Sequence, residues 1–160
     1  MDRVKAAIFS SLGQRVVGAR VLDLFAGAGG LGIEALSRGA ASALFVESNR
    51  EAIPVIERNL ATASFTANVR RHDVFAFLRH ARGEFDIIFA DPPYERTATD
   101  ESFTDLLLNN RSILRLLAAN GVFVLEKRPG EPLSLPDNWS LLRARKYGAT
   151  EVLFLTLAAP

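Results

Sequence analysis

One stretch of the chain constrains its fold more than any other. Residues 21–25 form an apolar run that is typical of a buried strand, and a turn of small residues, 26–30, follows it directly. A helical pattern of apolar residues begins at Leu31. The stretch therefore predicts a strand, a tight loop and the start of a helix, which together make a place where a ligand can bind.

The glycines of this turn are spaced as Gly-x-Gly-x-x-Gly, at Gly27, Gly29 and Gly32. Missing side chains permit a sharp turn, close approach of a ligand to the backbone and tight packing of helix on strand. Asp23 lies within the apolar strand, where a carboxylate is costly unless it is hydrogen-bonded. Glu47 ends the next apolar run, where nucleotide-binding units place the acid that holds ribose hydroxyls. A ligand with a ribose is therefore expected; the alternative is a glycine turn that only caps a helix.

Composition favours a single domain over residues 1–160. A chain of 160 residues with 49% apolar side chains can form one core but not two ordinary domains. The absence of cysteine excludes disulfides, thiolate zinc sites and a cysteine nucleophile, and it suits a reducing compartment. No stretch is long and apolar enough for a membrane span or a signal peptide, so we expect a cytoplasmic protein without a membrane partner.

The charge pattern gives a weaker signal than the motifs. A net charge of +1 does not by itself indicate a nucleic-acid binder. Basic residues do stand at the ends of two predicted strands, at residues 70–72 and 127–128. We predict local basic patches there, or else ordinary solvated loop charges.

Strands alternate with helices along the chain. We predict helices at residues 3–12, 31–38, 49–63 and 103–119, the last broken near Asn109, and a brief helix that includes residues 75–78 and stops near Gly83. Strands are predicted at 21–25, 41–47, 69–72, 85–90, 121–126, 139–147 and 150–157, and a polar loop at 95–101. This order predicts an α/β fold with a mostly parallel sheet and an antiparallel hairpin at the C-terminal end. Ligands of such sheets lie beyond the carboxyl ends of the strands.

The fourth strand runs directly into Asp91-Pro92-Pro93-Tyr94, the most specific motif of the sequence. The prolines fix φ and lack N–H groups, so the carbonyls of Asp91 and Pro92 follow a stiff path and can accept hydrogen bonds. A carboxylate, a rigid carbonyl and a flat ring make a receptor for a planar group that bears an amine. The alternative is a proline turn with Tyr94 packed in the core.

These two motifs resemble those of a known class of enzyme. Residues 23–29 together with residues 91–94 are similar to the cofactor and catalytic motifs of amino-group methyltransferases that use S-adenosylmethionine. More narrowly, residues 2–9, 24–36 and 146–148 resemble the RsmD family of small-subunit ribosomal RNA guanine-N2 methyltransferases, and the resemblance covers nearly the whole chain.

The resemblance implies a Rossmann-like class I methyltransferase fold with a seven-stranded sheet and helices on both faces. It also implies S-adenosylmethionine as cofactor, no metal, and a monomer that acts on ribosomal RNA or a small-subunit assembly particle. Family members carry a basic hairpin before the Asp-Arg-Val helix. Since this sequence begins at that helix, we expect the domain to lack the hairpin.

A role for each motif residue follows from the same resemblance. The backbone at residues 25–29 would lie along the methionine portion of the cofactor, Glu47 would hold the ribose, and Asp73 with Val74 would meet the adenine. Asp91 and the Pro92 carbonyl would bind the target amine, with Tyr94 stacked on a flipped guanine. The implied cofactor-binding residues are Asp23, Phe25, Ala26, Gly27, Gly29, Glu47, Ser48, Asp73 and Val74; the implied catalytic residues are Asp91, Pro92, Pro93 and Tyr94.

Other functions fit part of the pattern. Enzymes that methylate adenine in DNA or glutamine in proteins share the acid-Pro-Pro-Tyr motif, and N6-adenine methylation of DNA is the main alternative. An NAD-dependent oxidoreductase would use the glycine turn and Glu47 but leaves residues 91–94 unexplained. A catalytically silent RNA-binding module is a third possibility. His72 and His80 lack the spacing of metal ligands or of a nucleophile's base, so we assign them no function.

Overall fold

The structure, a computed structural model, describes residues 2–94 and 102–160. The polar loop predicted at residues 95–101 therefore lies outside the described residues. The helices are α1 (Asp2–Leu12), α2 (Gly30–Ser37), α3 (Ala52–Thr62), α4 (Val74–His80), α5 (Phe103–Leu108) and α6 (Arg111–Leu116), with a 3-10 turn at Gly13–Val16; the strands are β1 (Arg20–Leu24), β2 (Ser42–Glu47), β3 (Asn68–Arg71), β4 (Phe85–Ala90), β5 (Leu117–Lys127), β6 (Trp139–Tyr147) and β7 (Thr150–Leu157).

The strands form one seven-stranded sheet in the order β3-β2-β1-β4-β5-β7-β6. The pairs among β1 to β5 are parallel, and β7 is antiparallel to both of its neighbours. This confirms the predicted α/β class and the antiparallel C-terminal hairpin. The chain builds outward from β1 in one direction and from β4 in the other, so the crevice for a ligand lies at the carboxyl ends of these two strands.

Two apolar layers cover the two faces of the sheet, as expected. The first joins α1 and α3 to the sheet, with Phe9, Ile56 and Phe89 buried in it. The second joins α4, α5 and α6 to the opposite face, through residues such as Leu78 and Ile113. None of the helices within residues 2–94 and 102–160 has the length and apolar character needed to cross a membrane.

The predicted helix at residues 103–119 is wrong at its C-terminal end. The break near Asn109 is confirmed, and the side chain of Asn110 starts α6 by accepting the N–H groups of Ser112 at 2.9 Å and Ile113 at 3.3 Å. Residues 117–119 belong to β5 instead, because Leu117 pairs with Phe85 across an irregular register. That pairing is a contact distant in sequence, which local periodicity does not reveal.

Candidate active site

The turn after β1 has the backbone that its small residues predict. Gly27 and Gly29 have φ values of +60° and +85°, and the N–H of Gly29 donates to the carbonyl of Ala26 at 2.8 Å. Phe25 also has a positive φ, +56°, which is strained for a residue with a side chain. Its ring packs against that of Phe75, with centroids 6.3 Å apart. The chain therefore turns sharply directly at the end of β1.

Asp23 and Gly32 fix helix α2 against the strand. The Asp23 side chain is 2% exposed and accepts the N–H of Gly32 at 3.0 Å, which confirms that this carboxylate is hydrogen-bonded. A Cβ atom at Gly32 would lie 2.3 Å from the ring of Phe45, so only glycine permits this packing. Burial raises the pKa of Asp23 well above its ordinary value, and the hydrogen bond from Gly32 offsets part of that effect.

Two further predicted cofactor residues hold backbone groups at the same edge of the sheet. Glu47 accepts the N–H of Gly27 at 2.8 Å and that of Asn49 at 2.9 Å, so it joins the glycine turn to the end of β2. Asp73 caps α4 by accepting the N–H of Ala76 at 3.0 Å. A carboxylate has about four acceptor positions, so both side chains retain capacity for a ligand. Of their neighbours, Ser48 is exposed and Val74 is buried.

A cavity opens beside the glycine turn. We call it the glycine cavity; it is lined by Val4, Lys5, Ile8, Asp23, Phe25, Ala26, Gly30, Leu31, Asp91 and Glu126. Sequence reasoning missed the three residues from α1 and also Glu126. An acid at the end of an apolar strand was the signal that identified Glu47, and the same signal was present at Glu126. No comparable signal marked Lys5, whose Nζ lies 3.7 Å from Oε1 of Glu34.

A second cavity lies beyond the end of β4. We call it the proline cavity; it is lined by residues 92–94, 102–104 and 126–132. Tyr94 is 40% exposed, so the alternative of a tyrosine packed in the core is wrong. Its hydroxyl donates to the carbonyl of Ala149 at 3.3 Å, and the Arg128 guanidinium lies over the ring, 5.3 Å from the centroid. One face of the ring is therefore already covered by a cation.

Lys127 holds one wall of the proline cavity and does not form part of a surface patch. Its Nζ is buried and donates to the carbonyls of Arg128 at 3.0 Å and Glu131 at 2.9 Å, and to Oε1 of Glu151 at 3.0 Å. The basic patch predicted at residues 127–128 is thus reduced to Arg128, which is exposed. In contrast, residues 70–72 are exposed at the edge of the sheet, as predicted.

Acidic side chains dominate the glycine cavity. Asp91 and Glu126 each follow the last registered residue pair of β4 and β5, Ala90 and Leu125, and therefore stand side by side. Burial and the neighbouring Asp91 raise the pKa of Glu126 to about 8, and partial desolvation also raises the pKa of Asp91. With Asp23, three carboxyl groups of raised pKa face one cavity. Such a cavity favours a cationic ligand, which would compensate the buried negative charge.

This combination of fold and site defines a methyltransferase of the class I fold, dependent on S-adenosylmethionine. The sheet order, the glycine turn after β1, the acid after β2 and the Asp-Pro-Pro-Tyr motif after β4 all meet at one edge. The cofactor carries a positive sulfonium and an ammonium group, and the acidic cavity beside the glycine turn fits both. Glu47 ends β2 and Asp73 follows β3, so both lie at this same edge of the sheet.

Comparison with known proteins gives the family. The chain belongs to the family described as Conserved hypothetical protein 95, whose model matches residues 1–156. It is 33% identical to ribosomal RNA small subunit methyltransferase D of Haemophilus influenzae, over 92% of this chain and 76% of that protein. The Escherichia coli protein of the same name is 36% identical, over 92% of this chain and 73% of that protein.

Solved structures agree with this assignment. A conserved hypothetical protein of Streptococcus pyogenes is 30% identical and superposes with a TM-score of 0.81, covering 97% of this chain and 95% of that one. The fold is thus shared with this relative over nearly the full length of both chains.

Proposed function

We propose that this protein transfers a methyl group from S-adenosylmethionine to the exocyclic N2 amine of a guanine in small-subunit ribosomal RNA. The observation that carries the proposal is the pairing of β1 with β4, in which Leu24 lies opposite Ala90. Because these strands are parallel neighbours, the glycine turn and Asp91 leave the sheet side by side. The exposed ring of Tyr94 follows three residues later.

The site residues align the target amine with the methyl group of the cofactor. The Asp91 carboxylate and the Pro92 carbonyl accept the two N–H groups of the target amine and turn its lone pair toward the cofactor. The same hydrogen bonds stabilise the positive charge that develops on the nitrogen. Tyr94 offers a flat surface to a flipped base. When bound, S-adenosylmethionine would supply the activated methyl group and leave as S-adenosylhomocysteine. The methylated amine then loses one proton to solvent, so no strong base is needed.

The names of the relatives support ribosomal RNA as the substrate class. Both curated relatives described above act on ribosomal RNA of the small subunit according to their names. N6-adenine methylation of DNA, the main alternative from the motif alone, is not favoured for this reason. Guanine N2 as the acceptor atom comes from the resemblance to the RsmD family.

One experiment tests the substrate directly. The protein is incubated with tritiated S-adenosylmethionine and, in parallel, with naked small-subunit ribosomal RNA, assembled small subunits and DNA. Nucleoside digestion of the labelled product should give N2-methylguanosine from one of the ribosomal samples. Label in N6-methyladenine of DNA, or no label in any ribosomal RNA sample, would refute the proposal.

We expect Glu47→Ala to weaken cofactor binding by about 10- to 100-fold, because a charge-assisted hydrogen bond to a ligand contributes ~1.5–3 kcal/mol. At saturating cofactor, kcat should change less than about threefold, since Glu47 does not contact the acceptor base. Calorimetric titration and methyl-transfer kinetics measure the two effects. Glu57→Ala, an exposed acid on α3, is the matched control. An unchanged cofactor Kd with a reduced kcat would contradict this assignment.

We expect cofactor binding at pH 7 to release protons. With a pKa of about 8, Glu126 holds a proton in the free protein at pH 7. A cationic ligand in the same cavity favours the carboxylate, so the pKa of Glu126 falls on binding and a proton leaves. Above about pH 9 the group is already ionised, and the release should vanish. Calorimetry in buffers of different ionisation enthalpy measures the number of protons.

S-adenosylhomocysteine, which lacks the sulfonium charge, is the control ligand for this experiment. It should release fewer protons than S-adenosylmethionine at the same pH. Glu126→Gln should abolish most of the difference between the two ligands. Equal release by both ligands would contradict the placement of the sulfonium near Glu126.

A further inference from the structure

Within residues 2–94 and 102–160, Glu126 is the one acidic residue that lines both cavities. It is 4% exposed, lies one residue before the end of β5 and faces the glycine cavity and the proline cavity together. Asp23 and Glu47 accept N–H groups at the glycine turn, at Gly32 and Gly27, and so have structural partners there. Glu126 instead stands at the boundary between the cofactor side and the base side of the site.

Its position relative to Asp91 is set by the sheet. Ala90 and Leu125 are registered partners on adjacent parallel strands, so the next residues, Asp91 and Glu126, are also neighbours. Parallel strands lie about 4.8 Å apart, and side chains alternate between faces, so the two carboxyl groups project from the same face. Both contribute to the glycine cavity, which agrees with this geometry. A group bound by Asp91 therefore has Glu126 beside it.

Purines that share the N2 amine differ at the neighbouring ring nitrogen, which a carboxylate beside Asp91 could contact. In guanine, the ring nitrogen next to the N2 amine carries a hydrogen and is a donor. In 2-aminopurine, which has the same amine, that nitrogen carries no hydrogen and is an acceptor. An ionised carboxylate only accepts hydrogen bonds, so it accepts the ring N–H of guanine and is repelled by the bare ring nitrogen of 2-aminopurine. The group beside the amine-binding aspartate can thus distinguish the two bases.

We propose that the Glu126 carboxylate accepts the N1–H of the target guanine and so selects guanine over purines whose neighbouring ring nitrogen is an acceptor. This inference rests on the proposed function and names the residue that reads the base. Glu126 is then a specificity-determining residue in contact with the substrate, next to the amine site formed by Asp91 and Pro92.

The other charged groups near Glu126 are consistent with this role. Asp91 and Asp23 face it from β4 and β1, and Lys5 lines the same cavity from α1. The following residue, Lys127, uses its ammonium group on Glu151 and on two backbone carbonyls. The acids leave an excess of acceptors at the boundary of the two cavities, which suits the donor-rich edge of guanine.

Nuclease mapping of the labelled ribosomal RNA first locates the methylated position. The test then compares two RNA fragments that contain this position, one with guanine and one with 2-aminopurine there. Assays run at pH 8.5, where most of Glu126 is ionised. For the wild type, kcat/KM for guanine should exceed that for 2-aminopurine by about 10- to 100-fold, the range expected from one hydrogen bond to a charged group. Binding of both fragments in the presence of S-adenosylhomocysteine should show the same order.

Glu126→Gln is the informative variant, because its amide can donate to the bare nitrogen of 2-aminopurine as well as accept from guanine. The preference for guanine should fall to within about threefold, whereas Glu84→Gln, at the opposite end of β4, should keep the wild-type ratio. A change in this ratio is not expected from a purely structural role for Glu126.

Three outcomes would overturn the inference. They are a wild type that uses or binds both fragments equally, a Glu126→Gln variant that keeps the full preference, and a variant whose only defect is in cofactor affinity. Equal use of both fragments by the wild type is measured without any variant, so the proposal can be refuted even if Glu126→Gln folds poorly. A wild type that labels no ribosomal RNA guanine at all refutes the proposed function instead, which keeps the two failures distinct.

Discussion

Asp91→Asn is expected to lower kcat by about 10²- to 10³-fold, with a much smaller loss of cofactor affinity than Glu47→Ala shows. Loss of one preorganised group that stabilises developing charge typically costs this much. The amide also presents an N–H group to the amine, where the carboxylate presents only acceptors. Methyl-transfer kinetics at saturating cofactor and calorimetric titration of S-adenosylmethionine measure the two quantities separately.

Asp137→Asn is the matched control for this variant, since Asp137 is exposed in the connection before β6. It should retain wild-type kcat and cofactor affinity. If Asp91→Asn lost cofactor affinity as severely as Glu47→Ala, the division of the site into a cofactor side and an amine side would be wrong.

Lys127→Met should lower the free energy of unfolding by about 3 kcal/mol, the lower end of the range for removal of one partner from a buried ion pair. The lower end applies because the Glu151 side chain is 17% exposed and keeps some contact with water. The substitution also leaves the carbonyls of Arg128 and Glu131 without the donor that holds them. Urea denaturation followed by circular dichroism measures the change.

Lys146→Met provides the comparison for Lys127, since Lys146 is exposed on β6. It should change the free energy of unfolding by less than about 0.5 kcal/mol. The Lys127 variant should further show a raised KM for RNA, because residues 128–132 line the proline cavity. Unfolding curves that coincide for Lys127→Met and the wild type would mean that the ion pair contributes nothing.

The glycine turn and the Asp-Pro-Pro-Tyr motif could be predicted because their signals are local. A carboxylate such as Asp23 inside an apolar strand requires a donor, and Gly32, nine residues later, supplies it. The two prolines restrict the backbone of their own motif, so its position after β4 could be predicted from residues 85–94 alone. Each of these inferences needed only the chemistry of neighbouring side chains.

Features that depend on distant contacts could not be predicted in the same way. Residues 117–119 continue a helical pattern in sequence, yet pairing with β4 makes them strand. Lys127 follows a strand and resembles a surface cation until Glu151 of β7 is brought beside it. The residues of α1 that line the glycine cavity carry no motif, since only the packing of that helix on the sheet places them there.

The hydrogen bond from the Tyr94 hydroxyl to the Ala149 carbonyl connects the motif after β4 to the turn between β6 and β7. The last two strands therefore help to set the orientation of the ring on which we propose that the base stacks. Substitutions in that distant hairpin should alter turnover without touching the substrate. Screens that map activity onto residues near the cofactor alone would overlook them.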